Sequence, residues 1–216
     1  LLREVLTGLP MISSSEIIIG LKKADDAAIV KAEPGKLGVH TIDHFKQFID
    51  DPWMLGKIAV NHALNDVFAM GASPKSALAI VGLPLSVPKL MKNDMSLLMR
   101  GASEGLAENR TVLVGGHTNE ADEINIGFSA YGEVEERTLI RKTGAVHGDL
   151  IILTRPLGSG VLFAGAMKGL TKGRWISTTI QEMTKSNANA SNIFAECGAT
   201  SLTDITGFGL VGHLSE

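Results

Sequence analysis

Apolar residues in this chain either alternate or recur every three to four positions, and the switch between the two periods marks out its elements. Residues 27–30 and 37–43 are short apolar segments separated by Glu33-Pro34-Gly35-Lys36, which predicts a β-hairpin. Asp50-Asp51-Pro52 then reads as an N-cap with proline in the first turn. Leu55, Ile58, Ala59, Ala63, Val67 and Met70 follow at helical spacing, and Gly71 ends the helix. Residues 76–83 predict a buried strand and 88–109 a second helix. Residues 111–114 predict a strand running into Gly115-Gly116, and 124–134 a further strand whose internal glycines suggest a twist or bulge. This order implies an α/β (α+β) domain, with a mixed sheet and helices on one of its faces.

The pattern changes after Arg137. A polar stretch leads to the apolar run Asp149-Leu150-Ile151-Ile152-Leu153-Thr154, which predicts a strand. Arg155-Pro156-Leu157-Gly158-Ser159-Gly160 ends it, and a small-residue helix follows. Next come a loop near residues 171–174 and one long helix from about Ile176 to Cys197. A domain boundary is expected near residue 140, with 1–140 as the N-terminal domain and 141–216 as the start of an incomplete α+β domain. The first and last residues both fall inside helical patterns and no methionine opens the chain, so a piece of a longer polypeptide is expected.

Composition narrows the function. The net charge of −3 offers no basic field for nucleic acid, and the single cysteine excludes a disulfide framework or a thiolate zinc site. No apolar run nears the roughly 20 residues that span a bilayer, and no signal peptide is evident. The expectation is a cytoplasmic globular protein with neither membrane nor nucleic acid as partner.

Walker, dinucleotide-binding, nucleophile-elbow and zinc-protease motifs are all absent. What recurs is aspartate at the ends of elements: Asp25-Asp26 before the first strand, Asp43 closing the second, Asp66 inside a helix, and Asp204 after an apolar piece. Taken singly, Asp25 also fits a turn former, Asp43 a strand-end cap and Asp204 an N-cap. Asp66 lies near the apolar face of its helix, where an aspartate needs a partner. If these carboxylates converge, two like charges about 4 Å apart cost on the order of 4 kcal/mol at an effective dielectric of about 20. Divalent cations relieve that cost, and oxygen-only ligands favour magnesium, which also lets an acidic protein accept a polyphosphate. Gly115-Gly116-His117-Thr118, directly after a strand, fits either an anion-binding nest or a tight turn. Cys197 reads as a small buried hydrophobe rather than a nucleophile.

Together, Asp25-Asp26-Ala27-Ala28, Thr41-Ile42-Asp43-His44-Phe45, Asp50-Asp51-Pro52, Asn65-Asp66-Val67-Phe68-Ala69-Met70-Gly71, Gly115-Gly116-His117-Thr118, Leu153-Thr154-Arg155-Pro156-Leu157-Gly158 and Thr203-Asp204-Ile205-Thr206-Gly207-Phe208-Gly209-Leu210 resemble the selenophosphate synthetase (selenide, water dikinase) family. The similarity runs in order from about residue 22 to 216, and the stretch after Asp204 separates this family from thiamine-monophosphate kinase and other members of the aminoimidazole ribonucleotide synthetase superfamily. The resemblance implies an enzyme that makes selenophosphate from selenide, ATP and water and releases AMP and phosphate. It implies Mg2+ ligands at Asp26, Asp66 and Asp204, and ATP contacts at Lys23, Ala24, Asp25, Asp43, Asp66, Gly116, His117 and Thr118. It further implies a homodimer that pairs its sheets, with the Gly-Gly loop reaching the partner's nucleotide. The family's reactive cysteine (or selenocysteine) and nearby lysine fall before Leu1, so no catalytic residue is assigned. His62 stands where the family has asparagine. A flavin-dependent oxidoreductase domain fused upstream, as in some members, would fit the start without methionine. The alternatives are another small-molecule kinase or ligase of the superfamily, such as a thiamine-monophosphate kinase, and a nucleotide-binding module with no chemistry of its own.

Overall fold

The structure is a computed structural model and describes residues 14–20 and 25–215. Its strands are β1 (Ile17–Ile19), β2 (Ala28–Lys31), β3 (Lys36–Lys46), β4 (Ser73–Leu83), β5 (Val112–Glu120) and β6 (Asn125–Glu135). They form one sheet in the order β1-β2-β3-β6-β4-β5. Every neighbouring pair is antiparallel except β4 and β5, which are parallel. Helix α1 (Pro52–Ala69) connects β3 to β4, and α2 (Pro88–Glu108) is the crossover that a parallel pair requires.

Asp51 caps α1 through its side chain, which accepts from the Met54 N–H at 3.0 Å, and Pro52 takes the first turn. The helix buries Leu55, Ala59, Val60, Leu64 and Val67 against the sheet and α2. Glycines set how closely the two helices cross: a Cβ at Gly56 would collide with the Leu98 carbonyl, and one at Gly101 with the Trp53 carbonyl. On β3, Leu37 and Val39 are buried beneath the helices, and alternation carries Thr41, Asp43 and Phe45 onto the same face. His40, Ile42 and His44 face the other way, where Ile42 and its row neighbour Leu78 are 60% and 46% exposed.

The α/β layer with helices on one face is as expected, with four local differences. The strand β1 was not foreseen. The glycine pair lies inside β5 rather than in a turn or nest, because parallel pairing with β4 continues to Glu120 and the Gly116 backbone lies flat against the Ala79 carbonyl. Asp43 is not a strand-end cap, since β3 runs on to Lys46. The glycines of β6 give close approach rather than a bulge: Gly132 lies against Val67 and Gly127 against the Asp43 carbonyl, while the irregularity sits opposite, between Pro74 and Ser76 of β4.

Beyond β6 come short 3-10 turns at Glu136–Thr138 and Lys142–Gly144, then α3 (Ser159–Met167), α4 (Gly173–Met183), α5 (Ala188–Glu196) and α6 (Gly209–Ser215). The apolar run at 149–154 forms no strand; no strand of the described residues pairs with it, and Leu150 is 88% exposed. The single long helix is two helices, α4 and α5, because the residues between them are used for tertiary bonds. The Ser186 hydroxyl donates to Asn109 Oδ1 at 2.5 Å, Asn187 donates to Asn65 Oδ1 at 2.9 Å, and Arg155 donates to the Glu182 and Ser186 carbonyls. Cys197 is exposed rather than a buried hydrophobe.

Candidate active site

Four of the expected aspartates meet where the sheet, α1 and the chain before α6 come together. Asp26 precedes β2, Asp43 lies within β3, Asp66 is on α1 and Asp204 precedes α6. Alternation along β3 turns Thr41 and Asp43 toward α1, and there the Thr41 hydroxyl donates to Asp66 Oδ2 at 2.5 Å. His62, one helical turn before Asp66, brings Nε2 to 3.6 Å from Asp43 Oδ2 and sets its ring edge-on to Phe45. The Thr203 hydroxyl lies 3.2 Å from Asp26 Oδ1 and 3.1 Å from the Asp204 carbonyl, tying the late segment to the early one.

The electrostatics report the crowding. Burial, with the charges of Asp204, Asp43 and Asp26 facing it, pushes the Asp66 carboxyl from 3.8 up to about 8, although the Thr41 hydroxyl opposes the rise. Burial, then Asp26 and Asp43, pushes Asp204 up to about 7, with Lys142 offsetting part of the effect. Burial also pushes Asp26 up to about 6, with the Thr203 hydrogen bond and the Lys142 charge opposing the rise and the Asp25 charge adding to it. Asp66 and Asp204 thus titrate as a coupled pair, both raised by burial and by the neighbouring carboxylates. Among the described residues, Lys142 is the lysine whose charge offsets Asp26 and Asp204.

Two carboxylate oxygens, Asp26 Oδ2 and Asp204 Oδ2, are buried with no hydrogen-bond partner among the described residues. Such orphaned acceptors in a crowded, oxygen-only cluster fit a hard dication. No three His, Cys, Asp or Glu side chains among the described residues form a ready coordination shell.

The other expected site residues divide. Asp25 stands beside the cluster, its Oδ1 accepting from the Asp26 N–H at 2.9 Å and the Lys142 N–H at 3.4 Å. Lys23 and Ala24 lie outside the described residues. Gly116, His117 and Thr118 do not join the cluster. Asp43 pairs across the sheet with Phe128, Phe128 with Ala79, and Ala79 with Gly116. Three strand spacings, about 14 Å, therefore separate Asp43 from Gly116, with the buried Phe128 between them. The glycine segment instead lines a cleft of about 460 Å³ beside Met95 and Met99 of α2.

Sequence inspection missed Thr41, Thr203, Lys142 and His213. Thr41 was detectable, because strand alternation puts it on the face of Asp43 two residues on. Lys142 and Thr203 carried no local signal, since both enter the cluster through contacts across more than a hundred residues of chain.

Comparison with known proteins supports the fold. The model of the family described as AIR synthase related protein, N-terminal domain, matches residues 24–134. The selenide, water dikinase of Pelobacter propionicus is 36% identical over 218 residues, covering all of this chain and 61% of that protein. Its counterpart from Carboxydothermus hydrogenoformans is 35% identical over 215 residues, covering all of this chain and 62% of that protein. The chain thus spans about three fifths of the length of these curated relatives. Among solved structures, thiamine monophosphate kinase from Aquifex aeolicus superposes with a TM-score of 0.66 at 21% identity, over 82% of this chain and 61% of the other, a likeness of fold.

Proposed function

The chain belongs to the AIR synthase related family through its N-terminal domain, and from that premise we propose that it is the ATP-binding part of a selenide, water dikinase. The reaction would convert selenide, ATP and water to selenophosphate, AMP and phosphate. The observation that carries the proposal is the convergence of Asp26, Asp43, Asp66 and Asp204, with two of their oxygens buried and unanswered. Identity of about 35% over the whole chain to proteins of that name supports it.

Asp26, Asp66 and Asp204 would hold Mg2+, with Asp43 beside them. When bound, the dications supply the positive charge that lets a triphosphate enter an acidic cleft. The chain's own residues prepare the geometry. Thr41 fixes one oxygen of Asp66 and leaves the other available, and Thr203 does the same for Asp26. Lys23, Ala24 and Asp25 are proposed to contact the nucleotide.

Gly116, His117 and Thr118 stand three strand spacings from Asp43, and they are proposed to reach a nucleotide bound by a second copy in a homodimer. The exposed row of Ile42 and Leu78 on the open sheet face supports that pairing. The division into domains is proposed near residue 140, just past the end of β6 at Glu135. No helix among the described residues is long and apolar enough to cross a membrane, and the cytoplasm is the proposed location.

Calorimetry with ATP, with and without Mg2+, tests the proposal. Binding is expected only with Mg2+, and Asp66→Asn is expected to weaken it at least about tenfold while leaving the melting transition intact. Binding that ignores Mg2+, or that Asp66→Asn leaves unchanged, would refute the proposal. The fold likeness to thiamine monophosphate kinase favours one alternative, a kinase of another small molecule, which would release ADP rather than AMP from the whole protein.

A further inference from the structure

The segment that carries Asp204 has no regular secondary structure from Ser201 to Thr206, yet two side-chain contacts hold it in place. Upstream of Asp204, Thr203 ties it to Asp26. Downstream, the Thr206 N–H donates to Nε2 of His213 at 3.1 Å, and the Thr206 hydroxyl lies 3.3 Å from the same nitrogen. The Thr206 carbonyl in turn accepts from the Gly209 N–H at 3.1 Å, in a reversal that Gly209 makes with φ +65°. Both backbone polar groups of Thr206 are thus bonded within one compact turn closed by α6.

His213 is the buried residue of α6, while its apolar neighbours Val211 and Leu214 are 79% and 52% exposed. A hydrophobe would fill a buried position at lower cost than an imidazole, unless the imidazole answers a polar group there. Here it answers Thr206 N–H. Because that N–H donates, Nε2 is the unprotonated acceptor nitrogen, and the ring is held in one tautomer.

We propose that His213 is a positioning residue for the acidic cluster: by accepting from the Thr206 N–H it closes the turn after Asp204 and holds that carboxylate opposite Asp26. The proposal rests on the Mg2+-ATP function proposed above and names a residue which that function does not require by itself. His213 need touch neither metal nor nucleotide, since it acts through the backbone of Thr206.

Three variants separate acceptor geometry from packing. In His213→Gln the carboxamide oxygen reaches about where Nε2 sits. In His213→Asn the side chain stays polar but its oxygen falls near the position of Nδ1. His213→Phe keeps a ring and loses the acceptor. The Mg2+ concentration that half-saturates ATP binding by this chain is expected to rise about tenfold in His213→Asn and His213→Phe, and to stay within about threefold in His213→Gln. Amide hydrogen exchange at Thr206 should lose protection in the same two variants and keep it in His213→Gln. A full effect in His213→Gln, or none in His213→Asn, would overturn the proposal, and the Gln–Asn contrast decides even if His213→Phe does not fold. If the parent chain binds no ATP with Mg2+, the function proposed above fails, and Thr206 exchange alone decides the role of His213. Protection that is equal in all the variants would refute it.

Discussion

The two halves of the chain are built with different economy. Helix α1 buries eleven of its 18 residues, including Leu55, Val60, Leu64 and Val67, between the sheet and α2. Helices α3 and α4 bury none of theirs among the described residues, and Leu150, Ile151, Leu170 and Val211 stand well exposed. The first half is a closed hydrophobic unit. The second is attached to it mainly by polar bonds: Asn109, Ser186, Asn187 and Asn65 interlock, and the Ser191 hydroxyl donates to the Phe68 carbonyl at 2.7 Å. The acidic cluster sits on that seam, taking Asp26, Asp43 and Asp66 from the packed half and Asp204 from the other. Stability and site assembly are therefore separable, and variants in each region should separate them.

The largest contrast is at the helix crossing. Gly101→Val would drive a side chain into the Trp53 carbonyl and is expected to cost roughly 4 kcal/mol or more, enough to abolish a cooperative melt by circular dichroism. Gly173→Ala, in the open second half where a Cβ meets nothing within 4 Å, is expected to change stability by less than about 0.5 kcal/mol. Equal effects would mean that the two regions share one core after all.

A pH series probes the seam next. Asp26, Asp204 and Asp66 all have folded pKa values raised above 3.8, to about 6, 7 and 8. Between those limits the folded state keeps protons that the unfolded chain has released, so stability falls as pH rises and levels off above about 8. Without divalent ions, the melting temperature is expected to drop on the order of 10 °C between about pH 5 and 8.5. Mg2+ should remove most of that drop. A flat profile, or one rising with pH, would mean that the carboxylates do not crowd one another.

The smallest effect tests the polar latch. Ser186→Ala removes the donor to Asn109 Oδ1 and is expected to cost about 1 kcal/mol. Its clearer readout is faster proteolysis between α4 and α5, with the exchange protection of α1 unchanged. Loss of protection in α1 would show that the second half supports the first.

Much of the packed half was legible because its rules are local. The capped start of α1, the hairpin turn at Glu33-Pro34-Gly35-Lys36 and the period of the apolar residues each depend on neighbours within a turn or a strand. The errors fell where distant contacts override local preference. The glycine pair at 115–116 fitted either a nest or a turn and is strand, because β4 pairs with it on to Glu120 past a register shift at Val114. Residues 149–154 looked like a strand and are not, because nothing among the described residues pairs with them. The helix expected from Ile176 to Cys197 breaks where Ser186 and Asn187 are drawn to α1 and α2.

What the chain carried in its own order was the elements, the placement of aspartate at their ends, and the need for some partner at Asp66. Which aspartates share a cleft, which hydroxyls hold them, and that Gly116 stands three strands away were decided only by the folded sheet. Charge repulsion and hydrogen bonding act over a few ångströms in space, and Asp26 and Asp204 become neighbours only when folding closes the long stretch of chain between them.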